Sequence, residues 1–171
     1  MNEREIKVFL QRLSERIAVP SKIHVLGGSA LLLLGGSRPT IDLDFVGDDL
    51  RVGEFQRTIH LLADEMDVEV EPISIGQFIP LPEGSDKRDI RIGQFGNLEV
   101  YVVDPYAIAI SKLDRGFDTD IEDIIFLVQN GFVAHDRLES MMEAALQQSR
   151  KFDLDPASMR NSPKTVLKHL E

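Results

Sequence analysis

The feature that most constrains this chain is the run from Lys22 to Val46, which changes its hydrophobic period several times over a short distance. Residues 22–26 are short, apolar and β-prone, so they read as a strand. Gly27-Gly28-Ser29 is a tight turn, residues 30–34 form an apolar block that reads as a buried helix, and Gly35-Gly36 stops it. Residues 41–46 then alternate apolar with acidic side chains, the period of a strand. A strand, a glycine turn, one short helix and an acidic strand are therefore joined with almost no slack.

On the acidic strand, period two puts Asp42 and Asp44 on one face and Ile41, Leu43 and Phe45 on the other. Two neighbouring carboxylates repel, which disfavours ionising both. A divalent cation removes that penalty, and hard oxygen ligands select Mg²⁺ or Mn²⁺, which also accept phosphate oxygens. The glycine turn supplies a complementary feature. Gly27 and Gly28 let backbone approach a ligand closely, and the helix that follows aims free amides and its positive dipole end outward. A triphosphate suits that place, with Ser29 as a further hydroxyl donor. Ser37, Arg38 and Thr40 precede the acidic strand. Arg38 is a candidate phosphate contact, and pairing with Asp48 or Asp49 is the structural alternative.

The rest of the chain predicts a helix over 2–17, a helix with Val52, Phe55, Ile59 and Leu62 as its stripe, and a strand over 67–71. Residues 72–89 hold three prolines and two glycines and read as a long loop. Residues 90–95 and 98–103 flank Gly96-Asn97 as a hairpin. From Pro105 the pattern is helical to the end, with Asn130-Gly131 closing one helix, Asp136 and Glu139 forming a capping box, and Asp155-Pro156 starting the last helix. The fold class is α/β (α+β), a small mixed sheet flanked by helices with a helical C-terminal third. The expected division is a core over 1–131 and a helical subdomain over 132–171.

Composition narrows the chemistry. The chain has 171 residues and no cysteine, so thiolate catalysis and zinc–thiolate sites are excluded. No apolar run approaches the roughly 18 residues of a membrane span, and a cytoplasmic protein without membrane association is expected. The formal net charge of −10 opposes broad capture of nucleic acid, so an RNA substrate requires a local basic patch or a basic partner. His24, His60, His135 and His169 lack metal-ligand spacing, and Met141-Met142 reads as core.

Gly28-Ser29 followed, after twelve residues, by Asp42-Leu43-Asp44-Phe45 resembles the signature of the DNA polymerase β-like nucleotidyltransferase superfamily. The stretch from Arg38 to Phe45 is similar to the minimal nucleotidyltransferases of the AbiEii/MenT toxin group and their uncharacterised relatives. A second match lies downstream: Lys112-Leu113, then Asp120-Ile121-Glu122-Asp123. Phe117 and Thr119 stand where that group carries basic residues, with Arg115 the nearest cation. The resemblance implies Asp42 and Asp44 as metal ligands and as catalytic residues. It implies Gly27, Gly28, Ser29, Arg38 and Thr40 around the nucleotide, and two further catalytic residues, Lys112 on phosphate and Asp120 orienting it or acting as a supporting acid or base. A third metal carboxylate is implied on a later strand, where Glu99 stands; Glu69 and Glu71 are alternatives. The implied reaction moves a nucleoside monophosphate from a nucleoside triphosphate to an acceptor hydroxyl of RNA or tRNA, a protein or a small molecule. In the toxin branch it comes with an antitoxin partner. Two other readings stay open: a degenerate member that binds nucleotide without catalysis, and an interaction module. From spacing alone, Lys112 and Arg115 share one helix face and Asp120 and Asp123 share another, so the pairs can meet as a salt bridge.

Overall fold

The computed structural model describes residues 1–47 and 53–170. Val52, and Asp48 and Asp49 as partners of Arg38, lie outside the described residues. Five strands form one mixed sheet in the order β3-β2-β1-β5-β4. They are β1 (Ser21–Val25), β2 (Asp42–Val46), β3 (Glu69–Ile73), β4 (Ile90–Phe95) and β5 (Leu98–Val102). β1 pairs antiparallel with β2 and parallel with β5, β2 pairs parallel with β3, and β4 and β5 are antiparallel. The chain divides into two compact units. One comprises Met1–Ser74 with Asp89–Val103 and holds the whole sheet, and the other comprises Ile75–Arg88 with Asp104–Glu171.

In the sheet unit, alternation separates the two faces. Ile23, Val25, Leu43, Phe45, Leu98, Val100 and Val102 are all buried, and they share one face. Helix α1 (Glu3–Glu15) packs against α3 (Glu54–Met66) and reaches β4 and β5. α3 lies on the apolar face, where His60 meets Phe45 edge-on. Ile6, Phe9, Leu10 and Leu13 of α1 and Ile59 and Leu62 of α3 complete this core. Ile41, expected among the inward residues, precedes β2 and is 79% exposed. Outside the pairing, the strand period no longer dictates its direction.

Several expectations shift for identifiable reasons. Helix α2 spans Gly27–Leu33, so the glycines form its first turn rather than a turn before it. β3 runs through Pro72, which the sheet tolerates because β3 is an edge strand. The expected loop over 72–89 therefore begins as strand and contains a short helix, α4 (Ile75–Phe78), and a single 3₁₀ turn. The hairpin at Gly96-Asn97 forms as expected, with Gly96 at φ 51°. The Asn97 amide donates to the Ile17 and Ala18 carbonyls, tying the hairpin to the end of α1. Capping also moves. The Asp136/Glu139 box does not form because the N-cap of α7 (His135–Leu146) is Ala134, two residues earlier. The capping box that does form is Asn2 with Glu5, ahead of α1.

The second unit is helical: α4, α5 (Pro105–Arg115), α6 (Asp118–Gln129), α7, α8 (Ser149–Phe152) and α9 (Pro156–Leu170). α5 is its hub, touching α6, α7 and α9. Asp104 caps α5 from a wholly buried position, accepting from the Tyr106 amide at 3.0 Å and from Arg88 Nη2 at 2.6 Å. That hydrogen bond to Asp104 holds the Arg88 guanidinium above its ordinary pKa. No helix among the described residues is long and apolar enough to cross a membrane.

The polar face of β2 depends on its apolar face being anchored. Leu43→Ala is expected to lower the unfolding free energy by about 2–5 kcal/mol, read by urea denaturation. A loss under about 1 kcal/mol would contradict the packing described for this strand.

Candidate active site

Asp42 and Asp44 leave β2 on the face opposite Leu43 and Phe45 and are half-buried. Parallel pairing sets Asp42 beside Glu69 and Asp44 beside Glu71, so four carboxylates share this face of β2 and β3. Oxygens of Asp42, Asp44 and Glu71 all lie within 4.8 Å of one another, the one such trio among the described residues. Glu99, on β5, faces Lys22 at 3.6 Å and Arg91 at 3.4 Å. Of the carboxylates considered for the third position, the fold thus brings Glu71 to the aspartate pair and gives Glu99 two cationic partners. Three carboxylate donors at this spacing fit a hard divalent cation, which would offset their mutual repulsion. A cleft of about 430 Å³ borders Asp42, Glu69 and Glu71.

The glycine turn makes this arrangement possible. Gly27 has φ 63°, and a Cβ there would lie 1.8 Å from Asp44 Oδ2. A Cβ on Gly28 would lie 2.7 Å from Thr40 Oγ1. Thr40 in turn donates to Asp42 Oδ1 at 3.2 Å. Ser29 is wholly buried, and its hydroxyl donates to the Asp42 carbonyl at 2.6 Å. The Leu26 amide donates to the Asp44 carbonyl at 3.1 Å. Consecutive residues of the turn thus each hold one feature of the acidic strand. What approaches the bare glycine backbone is the protein's own Asp44 and Thr40, a use of Gly27 and Gly28 that the sequence did not distinguish from ligand approach. Arg38 is exposed on the loop before β2.

In the helical unit, Lys112 of α5 and Asp120 and Asp123 of α6 are almost wholly buried. Lys112 Nζ donates to Asp123 Oδ2 at 2.6 Å and to Asp120 Oδ1 at 3.3 Å. Arg115 Nη2 donates to the same Asp120 oxygen at 2.5 Å. The helix spacing predicted this meeting of pairs. Two cations against two carboxylates leave the cluster formally neutral, which is how buried charge is tolerated. Asp120 Oδ2 has no hydrogen-bond partner among the described residues. Gly116, at φ 67°, ends α5 and starts the short link that turns α6 back on it.

A family model described as nucleotidyltransferase of unknown function (DUF6036) matches residues 4–158. No curated protein and no solved structure matches the chain.

Two substitutions test this geometry. Gly27→Ala and Gly35→Ala both strain a positive φ, by about 1–3 kcal/mol each, but only Gly27 faces Asp44, since a Cβ on Gly35 meets nothing within 4 Å. If the carboxylates hold Mn²⁺, its thermal stabilisation of the chain should therefore be lost in Gly27→Ala and kept in Gly35→Ala. Equal responses would show that the Gly27–Asp44 contact does not shape the carboxylate site. In the helical unit, Lys112→Ala leaves two buried carboxylates short of a donor and should cost about 3–5 kcal/mol in urea denaturation. A change within about 1 kcal/mol of the parent would remove the buried ammonium from the list of structural requirements.

Proposed function

This chain belongs to that nucleotidyltransferase family, matched over residues 4–158, and on that premise we propose that it transfers a nucleoside monophosphate from a nucleoside triphosphate to an acceptor hydroxyl. The observation that carries the reading is the trio of Asp42, Asp44 and Glu71 oxygens within 4.8 Å, beside a glycine turn built around the carboxylates. Asp42, Asp44 and Glu71 would hold Mg²⁺ or Mn²⁺. When bound, such a cation neutralises phosphate charge and lowers the barrier to displacement at phosphorus.

The reaction asks little covalent chemistry of the protein. The acceptor oxygen bonds to the α-phosphorus, the bond from that phosphorus to the bridging oxygen breaks, and pyrophosphate leaves with the electron pair. The acceptor proton passes to solvent or to a nearby carboxylate. Positioning and charge therefore dominate, as in other phosphoryl transfers. Gly27, Gly28 and Ser29 act by fixing β2, and Thr40 acts by orienting Asp42. Backbone amides of the turn and the Arg38 side chain are the proposed phosphate contacts.

Lys112 and Asp120 enter this reading through the resemblance to the AbiEii/MenT group, with Lys112 on phosphate and Asp120 orienting it. The 3.3 Å Lys112–Asp120 bond supports the second role, whereas the burial of Lys112 supports a structural one. The same resemblance supports RNA or tRNA as acceptor, ahead of a protein or small molecule. It also supports a toxin held in check by an antitoxin, in the cytoplasm where triphosphates and Mg²⁺ are at hand.

Transfer of label from an α-phosphate-labelled nucleoside triphosphate to total RNA or to protein, with Mg²⁺, tests the proposal. Asp42→Ala, Asp44→Ala and Glu71→Gln are each expected to reduce transfer at least about 100-fold, and chelation to abolish it. Undiminished transfer by Asp42→Ala would overturn the reading. If Glu71→Gln retained full activity while Glu99→Gln lost it, the third carboxylate would be Glu99.

A further inference from the structure

The polar face of the sheet continues past the carboxylates into β1, β5 and β4. Val25 of β1 lies opposite Phe45 of β2, so His24 shares a face with Asp44, its diagonal neighbour across the strand pair. The parallel register of β1 and β5 sets Lys22 beside Glu99 and His24 beside Tyr101. The antiparallel register of β5 and β4 sets Arg91 beside Tyr101. The face therefore changes character along the sheet, from acidic on β3 and β2 to a mixed surface of two rings, two cations and Glu99 on β1, β5 and β4.

The side chains of this second half are ordered by one another. The His24 and Tyr101 rings stack with centroids 5.2 Å apart and planes 18° apart. His24 Nε2 lies 3.3 Å from Asp89 Oδ2. Lys22 Nζ sits 5.4 Å from the centre of the Tyr101 ring. Lys22 and Arg91 both face Glu99, which the Tyr101 hydroxyl also approaches at 3.4 Å. The Lys22 and Arg91 side chains remain 61% and 51% exposed, and His24 is one-third exposed. None of these groups serves the apolar core. A prearranged pair of flat rings with two accessible cations, next to carboxylates suited to a metal, matches the chemistry of a nucleotide. Bases stack on aromatic rings, and phosphates meet lysine and arginine. On a chain of net charge −10, Lys22 and Arg91 place two accessible cations, shared with Glu99, against a pair of stacked rings.

We propose that His24 and Tyr101, flanked by Lys22 and Arg91, bind a nucleotide by stacking its base and contacting its phosphate, beside the Asp42–Asp44–Glu71 site. The proposal rests on the nucleotidyl-transfer reading. The nucleotide has two sources, the incoming triphosphate or the terminal residue of an RNA acceptor.

Calorimetry with each Mg²⁺–nucleoside triphosphate, and anisotropy of a fluorescent single-stranded oligoribonucleotide, separate these sources. Tyr101→Ala and His24→Ala should each weaken one of the two ligands about 5- to 100-fold, and Tyr101→Phe should retain the parent affinity. Weaker triphosphate alone supports the platform and assigns it the incoming base; weaker oligoribonucleotide alone supports it and assigns it the acceptor. Lys22→Ala and Arg91→Ala, both at exposed side chains, should flatten the salt dependence of the same ligand. Those two variants decide the matter if either ring variant fails to fold. Parent affinity for both ligands in all four alanine variants would overturn the platform. That result would leave the nucleotidyl-transfer reading intact as long as Asp42→Asn still abolishes label transfer. Transfer that persists in Asp42→Asn would instead remove the reading on which the platform rests.

Discussion

The contact between Gly27 and Asp44 is the constraint on which the candidate site depends. A side chain at residue 27 would occupy the space of the Asp44 carboxylate, and the backbone there already stands at φ 63°. Both facts call for glycine. Once that contact is made, Gly28 admits Thr40, Thr40 orients Asp42, and Ser29 fixes the Asp42 carbonyl. The start of α2 and the acidic strand are thus locked together residue by residue. The carboxylates are thereby held at short range by the protein's own contacts, a preorganised geometry that the proposed phosphoryl chemistry would reward.

The two units handle charge in opposite ways. Asp42, Asp44 and Glu71 gather on a polar face, where their partial exposure to water tempers their mutual repulsion. Lys112, Arg115, Asp120 and Asp123 include their own cations, and three of the four are almost wholly buried. A neutral buried cluster resists removal of any one member, because the remainder is left uncompensated. The first arrangement is suited to recruiting a ligand and the second to fixing two helices. This contrast bears on how the two sequence signatures divide the work, since a resemblance alone gives both clusters to the nucleotide.

Glu99 illustrates how pairing sets a residue's neighbours. On the sequence it stands on a strand late enough to be a third metal carboxylate. In the sheet it lies on β5, beyond β1 from the aspartates, between Lys22 and Arg91. Glu71 comes to Asp44 instead because β3 joins β2 in parallel at the other edge. His24 is a similar case: without ligand spacing it reads as ordinary, yet the β1–β5 register stacks it on Tyr101.

The period of the chain itself determined much of this protein. Alternation put Asp42 and Asp44 on one face and Leu43 and Phe45 on the other, helical spacing put Lys112 with Arg115 on one helix face and Asp120 with Asp123 on another, and Gly96-Asn97 marked the hairpin. These are local consequences of covalent geometry, which any stretch of sequence carries with it. Only the tertiary structure decided that Glu71 completes the acidic trio, that Gly27 and Gly28 accommodate the protein's own side chains, and that His24, Tyr101, Lys22 and Arg91 share a surface. Each of those facts depends on strand order and register between distant segments. Register is set by the burial of a whole apolar face at once, a collective property that no local window of the sequence contains.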